Sequence, residues 1–243
     1  MSFDAIASIF TGGLWVVLFA AYALRVRRFG AFHSQRVDSV GGTAIMGENI
    51  MQATYWAVGP VVRGLVAIGF TANGVTTSAL VLGIGAGVSV AFGYFGVACL
   101  LATISTVADI LDGQVARLTQ TGSNVGELYD AVVDRYTEFA FIAGFVVYAR
   151  NDTWLVGLAL LALQASFMIS YASAKAEAMN VEVPRGLMRR HERAAILTLG
   201  SGVSPLVGSA VPFAIALGLV GVIGLFAGIQ RFFRISRALR QHA

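Results

Sequence analysis

Charge is the first thing this chain lacks. Only 12% of its 243 residues are Asp, Glu, Lys or Arg, while 57% are hydrophobic. Soluble domains carry about 25% charged residues, so this composition excludes an ordinary water-soluble globule and points to an integral membrane protein. The single cysteine, Cys99, excludes a disulfide framework within the chain. Four prolines and no Ser/Pro-rich stretch leave no linker at which to divide it. Of the three histidines, His191 has no neighbour at metal-ligand spacing and reads as a surface residue.

What the chain has instead is long apolar runs, with a mean hydropathy of +0.75. A helix needs about 20 residues to cross roughly 30 Å of hydrocarbon. Seven windows qualify, near 5–24, 75–94, 96–116, 126–149, 153–174, 193–209 and 211–230. The first is followed by Arg25, Arg27 and Arg28 and preceded by Asp4, the order of an uncleaved signal anchor with its N-terminus outside. Threading the windows alternately puts every one of the 17 basic residues except Arg150 on one side. The positive-inside rule makes that side the cytoplasm. Topology and anionic lipid thus account for the net charge of +4, and no nucleic-acid partner is called for.

Residues 42–70 differ from the spans. Ile45, Met46, Ile50, Met51 and Trp56 recur near a helical period, interleaved with Glu48, Asn49 and Gln52. This pattern predicts an amphipathic helix at the membrane interface, or else a cytosolic helix packed on the bundle. Pro60 and Gly69 are expected to bend or end it. The glycines, 28 in all, sit mostly inside spans, where they allow close helix approach.

The stretch "DILDGQVARLTQTGSNVGELYDAVVDR" (109–135) breaks the apolar pattern with four aspartates. Asp109 and Asp112 lie three apart near the end of one span; Asp130 and Asp134 lie four apart near the start of the next. Each pair shares a helix face. If the two helices are antiparallel neighbours, all four carboxylates meet at one depth. Like charges 4 Å apart cost about 4 kcal/mol per pair at an effective dielectric of 20. Arg135 points about 100° away from Asp134 and cannot offset them. Two divalent ions can, and an all-oxygen shell favours Mg²⁺ or Mn²⁺. Such a pair suits phosphoryl transfer. Gly113 and Gly126 permit close approach of a substrate, Ala116 is small, and Arg117 offers a fork for phosphate. A polar cluster holding helices together, or a cation path in a transporter, is the competing reading.

Asp109, Asp112, Gly113, Ala116, Arg117, Gly126, Asp130 and Asp134 together match every fixed position of the signature of CDP-alcohol phosphotransferases, which this segment resembles. The spans from 75 to 230 resemble that family's six-helix membrane core. The resemblance implies an all-α integral membrane protein with that core at 71–243, one extra N-terminal transmembrane helix within 1–30, and the interfacial amphipathic helix at 42–70. It also implies transfer of a substituted phosphate from CDP-diacylglycerol to a small polar alcohol, with release of CMP. By the same likeness Asp109, Asp112, Asp130 and Asp134 hold the metals, and Asp134 is also the general base. Asn73, Gly74, Val75, Thr76, Asp112, Gly113, Ala116, Arg117, Ser123 and Gly126 would contact the CDP-lipid. Ala72 stands where the family usually has proline.

Two later stretches, "SYASAKAEA" (170–178) and "GLMRRHERAAI" (186–196), resemble a bacterial branch that makes phosphatidylinositol phosphate. That likeness places the acceptor's phosphate on Arg193 and Arg231, with Ser173 where the branch carries lysine. Glu127 and Glu138 either tune the metal site from beside it or are simply satisfied polar groups, the supporting role being preferred. The resulting expectation is a phospholipid-synthesising transferase of the bacterial inner membrane. It would be homodimeric, face the cytoplasm, and use inositol phosphate. Glycerol 3-phosphate is the alternative acceptor, and a cation-coupled transporter the alternative class.

Overall fold

The computed structural model describes residues 1–34, 37–38, 47–181 and 186–242. The described secondary structure is helical throughout: α1 (Phe3–Phe29), α2 (Glu48–Ala67), α3 (Ala72–Ala91), α4 (Phe95–Thr119), α5 (Asn124–Tyr148), α6 (Thr153–Ala178), α7 (Arg190–Val207) and α8 (Val211–His242). Among the described residues, α1, α3, α4, α6 and α8 are long and apolar enough to cross a membrane. The chain is therefore an all-helical, multi-pass membrane protein. α5 and α7 fall short of that measure because they carry charge: four carboxylates and Arg135 on α5, and Arg190, Glu192 and Arg193 in the first turn of α7. These are the two helices on which hydropathy alone says least.

Local chemistry sets the helix starts. Ser2, Thr71 and Ser123 each accept, through the side-chain hydroxyl, the backbone N–H three residues on; Asp152 does the same with Trp154 and Leu155. α4 has no such residue, since Tyr94 precedes it. Asp4 of α1 takes the role from outside, its Oδ1 accepting the N–H of Val97 at 2.9 Å. This contact ties the start of α1 to the start of α4. The Asp4 carbonyl lies so close to Gly96 that an added Cβ would sit 1.9 Å from it. The extra N-terminal helix is thus docked, packing along α4, α7 and α2.

α3 packs along both α4 and α5, while α4 and α5 do not pack closely on each other. That corrects the expectation of two neighbouring antiparallel helices: the hairpin is splayed, and α3 spans the gap. Glycines make the α3–α5 seam possible. A Cβ on Gly87 would meet the Ala140 carbonyl oxygen at 2.2 Å, and one on Gly144 would meet the Gly87 carbonyl oxygen at 2.0 Å. At the end remote from the aspartates, Phe95, Phe141, Phe145 and Phe213 form the main core, with ring centroids 5.1–6.4 Å apart.

α2 buries Val58 and Val62 against Val75, Ala79, Ala108, Leu111 and Val115 of α3 and α4. It thereby packs beside the aspartate-bearing end of the bundle. Residues 42–46, with Ile45 and Met46, lie outside the described residues. Pro60 lies inside α2, which continues past it. The helix gives out at Ile68, and Gly69 takes φ +75° in the turn that follows.

Gly87→Val should push α3 off α5 and destabilise the fold by more than the about 1–3 kcal/mol of ordinary overpacking. Gly157→Ala, where an added Cβ meets nothing within 4 Å, should be neutral. Thermal unfolding of the two variants in detergent, followed by circular dichroism, checks the contrast.

Candidate active site

Although α4 and α5 are splayed, their acidic residues still meet. Asp109, Asp112 and Asp130 each offer a carboxylate oxygen, and these three oxygens all lie within 4.8 Å of one another. Asp112 is the most enclosed, 6% exposed, and Thr76 of α3 donates to its Oδ2 at 2.7 Å. Asp130 Oδ1 is buried and has no hydrogen-bond partner among the described residues. A buried carboxylate oxygen without a donor is unfavourable. Three converging carboxylates, one with a buried oxygen that has no donor, suit a hard cation, whose opposed ligand oxygens lie about 4–5 Å apart. The donor set therefore fits the divalent metal predicted from sequence.

Asp134 is held differently. Arg190, from the first turn of α7, donates through Nη1 to Asp109 Oδ1 at 2.8 Å and forms an ion pair through Nη2 with Asp134 Oδ1 at 2.6 Å. This guanidinium bridges the two acidic helices and neutralises part of the cluster. Sequence reasoning missed it, because Arg190 passed as one more positive-inside residue. Its spacing three before Arg193, on one helix face, was the available signal.

The residues expected to meet the CDP-lipid fall into two groups. Gly113 lies under Arg117, whose Nη1 would be 3.3 Å from a Cβ there. Gly126 faces Ser123 and Asn73 from the next helix start, at 3.3 and 3.7 Å by the same measure. Ala116 is half-buried one turn beyond Asp112. Gly74 gives its N–H to Thr71, and its Cα packs beside Phe70. The Val75 side chain is buried in the α2–α3–α4 cluster, and Thr76 donates to Asp112.

Beside the aspartates lies a cavity of about 710 Å³, lined in part by Arg135, Arg189, Arg190, Arg193 and Arg231. Arg231 donates to the Ile169 carbonyl and to the Ser173 hydroxyl, so the serine that departs from the branch's lysine serves here as an arginine's acceptor. Arg193 does not present a free guanidinium. It is 1% exposed, bonded through Nε and Nη2 to Glu138 at 2.6 and 2.8 Å, and through Nη1 to the Met188 carbonyl at 2.8 Å. Met188 holds that carbonyl in place from a left-handed backbone, φ +59°. Three of its five N–H groups are thus engaged inside the protein, while the residue still lines the cavity in which sequence places the acceptor phosphate. Glu138 is the partner of Arg193, the satisfied polar group that was one of its two readings from sequence. His191 is exposed, at the rim of the same cavity.

The sequence pattern of the CDP-alcohol phosphatidyltransferase family matches residues 69–229. The chain belongs to that family. Its relatives include the phosphatidylinositol phosphate synthase of Mycobacterium marinum, 32% identical over 186 residues that span 72% of this chain and 78% of that one. Crystal structures of the Mycobacterium tuberculosis phosphatidylinositol phosphate synthase are similar in fold at 28% identity. The form with CDP-DAG bound has a TM-score of 0.67 and covers 72% of this chain and 92% of that one. The form with manganese and citrate has a TM-score of 0.68 and covers 72% and 87%. A CDP-alcohol phosphatidyltransferase is an enzyme, so the reading of the aspartates as a transporter's ion path is set aside.

Within this phosphatidyltransferase the Glu138–Arg193 pair is buried on both sides. Removing one partner strands the other charge. Glu138→Ala should therefore cost about 3–5 kcal/mol, and Glu138→Met combined with Arg193→Met should recover part of that loss. A double-mutant cycle of unfolding midpoints in detergent measures it.

Proposed function

We propose that this chain transfers the phosphatidyl group of CDP-diacylglycerol to a hydroxyl of inositol phosphate, releasing CMP, at the cytoplasmic face of a bacterial inner membrane. The observation that carries the reading is the juxtaposition of a three-carboxylate cluster with an arginine-lined cavity across Asp134. One feature suits a diphosphate, the other an anionic acceptor. The names of the relatives support the same pair of substrates.

Asp109, Asp112 and Asp130 hold the divalent metal, Mg²⁺ or Mn²⁺, with Asp134 completing the set when a second ion is present. Bound there, the metal neutralises the diphosphate and the departing CMP. The chain's own residues do the rest. Gly113 and Gly126 let the nucleotide approach the helix backbones, while Arg117, Ser123 and Asn73 surround it. Thr76 fixes the Asp112 carboxylate by donating to one of its oxygens. Arg190 fixes Asp134 through Oδ1, leaving Oδ2 to take the proton of the acceptor hydroxyl. The hydroxyl oxygen then bonds to the phosphatidyl phosphorus, and the bond from that phosphorus to the CMP oxygen breaks with its electron pair. Arg231 receives the acceptor's phosphate.

Orientation follows from the basic residues. Arg25, Arg27, Arg28, Arg63, Arg117, Arg190 and Arg231 all belong to the aspartate-bearing end of the bundle, and Arg150 lies in the turn at the other end. The positive-inside rule assigns the aspartate-bearing end to the cytoplasm, with seven spans in place of the five that composition alone certifies.

Purified protein given CDP-diacylglycerol, Mn²⁺ and inositol phosphate should release CMP. Asp134→Asn should lower the rate by at least about 100-fold with the fold retained. Release of CMP with glycerol 3-phosphate and none with inositol phosphate would overturn the acceptor.

A further inference from the structure

Among the described residues, Arg190 is the only lysine or arginine within ion-pair distance of Asp109, Asp112, Asp130 or Asp134. Its side chain is 25% exposed, and those of Asp109 and Asp134 are 21% and 13% exposed, so water screens these pairs poorly. Asp109 is common to two arrangements. It offers an oxygen to the cluster with Asp112 and Asp130, and its Oδ1 accepts from Arg190. The guanidinium therefore stands beside the metal-binding oxygens, on the side where Asp134 lies.

Arg190 is also fixed from behind. Three residues on, Arg193 donates to the Met188 carbonyl, which closes the turn that carries Arg190. The same Arg193 is bonded through Nε and Nη2 to Glu138, which pins that turn to α5. An arginine held this way acts as a standing charge. One divalent ion together with this guanidinium leaves the four carboxylates one negative charge in excess. A second divalent ion would make the site positive, next to a guanidinium that is tied in place, and like charges at that range repel strongly. The diphosphate of a CDP-lipid carries two negative charges and reverses the balance.

We propose that Arg190 is a built-in counter-ion, bridging Asp109 and Asp134, which limits the site to one divalent ion until a nucleotide diphosphate arrives. The protein then takes up its second ion only together with the CDP-lipid. The proposal rests on the reading of the aspartates as a divalent-metal centre and adds to it an order of loading and the residue that enforces it. Arg190 keeps its hold on Asp134 Oδ1 in both states, so the carboxylate of the general base is oriented before the substrate enters. Holding the charge of the empty site low also spares the acidic end the repulsion among its own carboxylates.

Equilibrium dialysis of Mn²⁺ against the full-length protein in detergent counts the ions, and the electron paramagnetic resonance spectrum separates a lone ion from an exchange-coupled pair. The unmodified protein should hold one ion, and a coupled pair once CDP is added as the soluble probe. Arg190→Gln should show the coupled pair without CDP, its second ion bound about tenfold or more tighter than in the unmodified protein. Arg190→Lys keeps the charge and should stay at one ion. Arg189→Gln removes a neighbouring charge that forms no ion pair among the described residues, and it should stay at one ion as well. A residue that merely braced α7 would lower the unfolding midpoint in Arg190→Gln and leave the count at one, and that result would overturn the proposal. So would two ions in the unmodified protein without CDP, a measurement that needs no variant to fold. Absence of Mn²⁺ from the unmodified protein, with CDP or without it, would overturn the metal reading itself and the proposal with it.

Discussion

Four carboxylates gathered at one end of an apolar bundle repel one another, and the surrounding structure answers that repulsion. Desolvation and mutual repulsion together make such a cluster unfavourable unless positive charge reaches it. The protein supplies part of the compensation from within. Arg190 bridges Asp109 to Asp134, and Thr76 donates to Asp112. Asp130 keeps a buried oxygen without a donor, and this remaining deficit is what a divalent cation removes. The acidic end is therefore unstable by itself, and it is held together by packing elsewhere. The phenylalanine core and the glycine seam between α3 and α5 provide that packing.

The arginines at this end divide between holding and binding. Arg193 is fully enclosed and shares a two-pronged bond with Glu138, so it fixes the start of α7 against α5. That fixture positions Arg190 one turn earlier, and Arg190 in turn positions the carboxylate of Asp134. Arg231, held by the Ile169 carbonyl and the Ser173 hydroxyl, lines the cavity together with Arg135 and Arg189. α5 carries both Asp130 of the carboxylate cluster and Arg135 of the cavity wall. A lipid diphosphate reaching one side and a water-borne phosphate ester reaching the other would meet at Asp134.

Much of this was legible before any coordinates. The spacing of Asp109 with Asp112, and of Asp130 with Asp134, announces one acidic face on each of two helices, and Asp109, Asp112 and Asp130 meet between them. Helix starts at Ser2, Thr71, Ser123 and Asp152 follow from residues with side-chain acceptors. Other features were hidden because they join residues far apart in the chain. Asp4 capping α4 links positions 93 apart, and nothing near Tyr94 hints at it. Arg190 and Arg193 look alike in sequence, and only their partners, 81 and 55 residues away, separate a brace on the aspartates from a buried strut. Val75 sits in a motif that seems to face a ligand, yet α2 covers it.

The sequence by itself determined the environment, the helices and the acidic cluster, because hydropathy, capping and i to i+4 spacing are local properties that a helix converts directly into faces. Tertiary structure decided which charges were already spent. Whether an arginine is free depends on what faces it across the bundle, and helices brought together by packing obey no rule of sequence distance. Arg193, chosen from sequence to bind phosphate, lines the cavity and is also bonded to Glu138, a partner 55 residues away that no local pattern reveals.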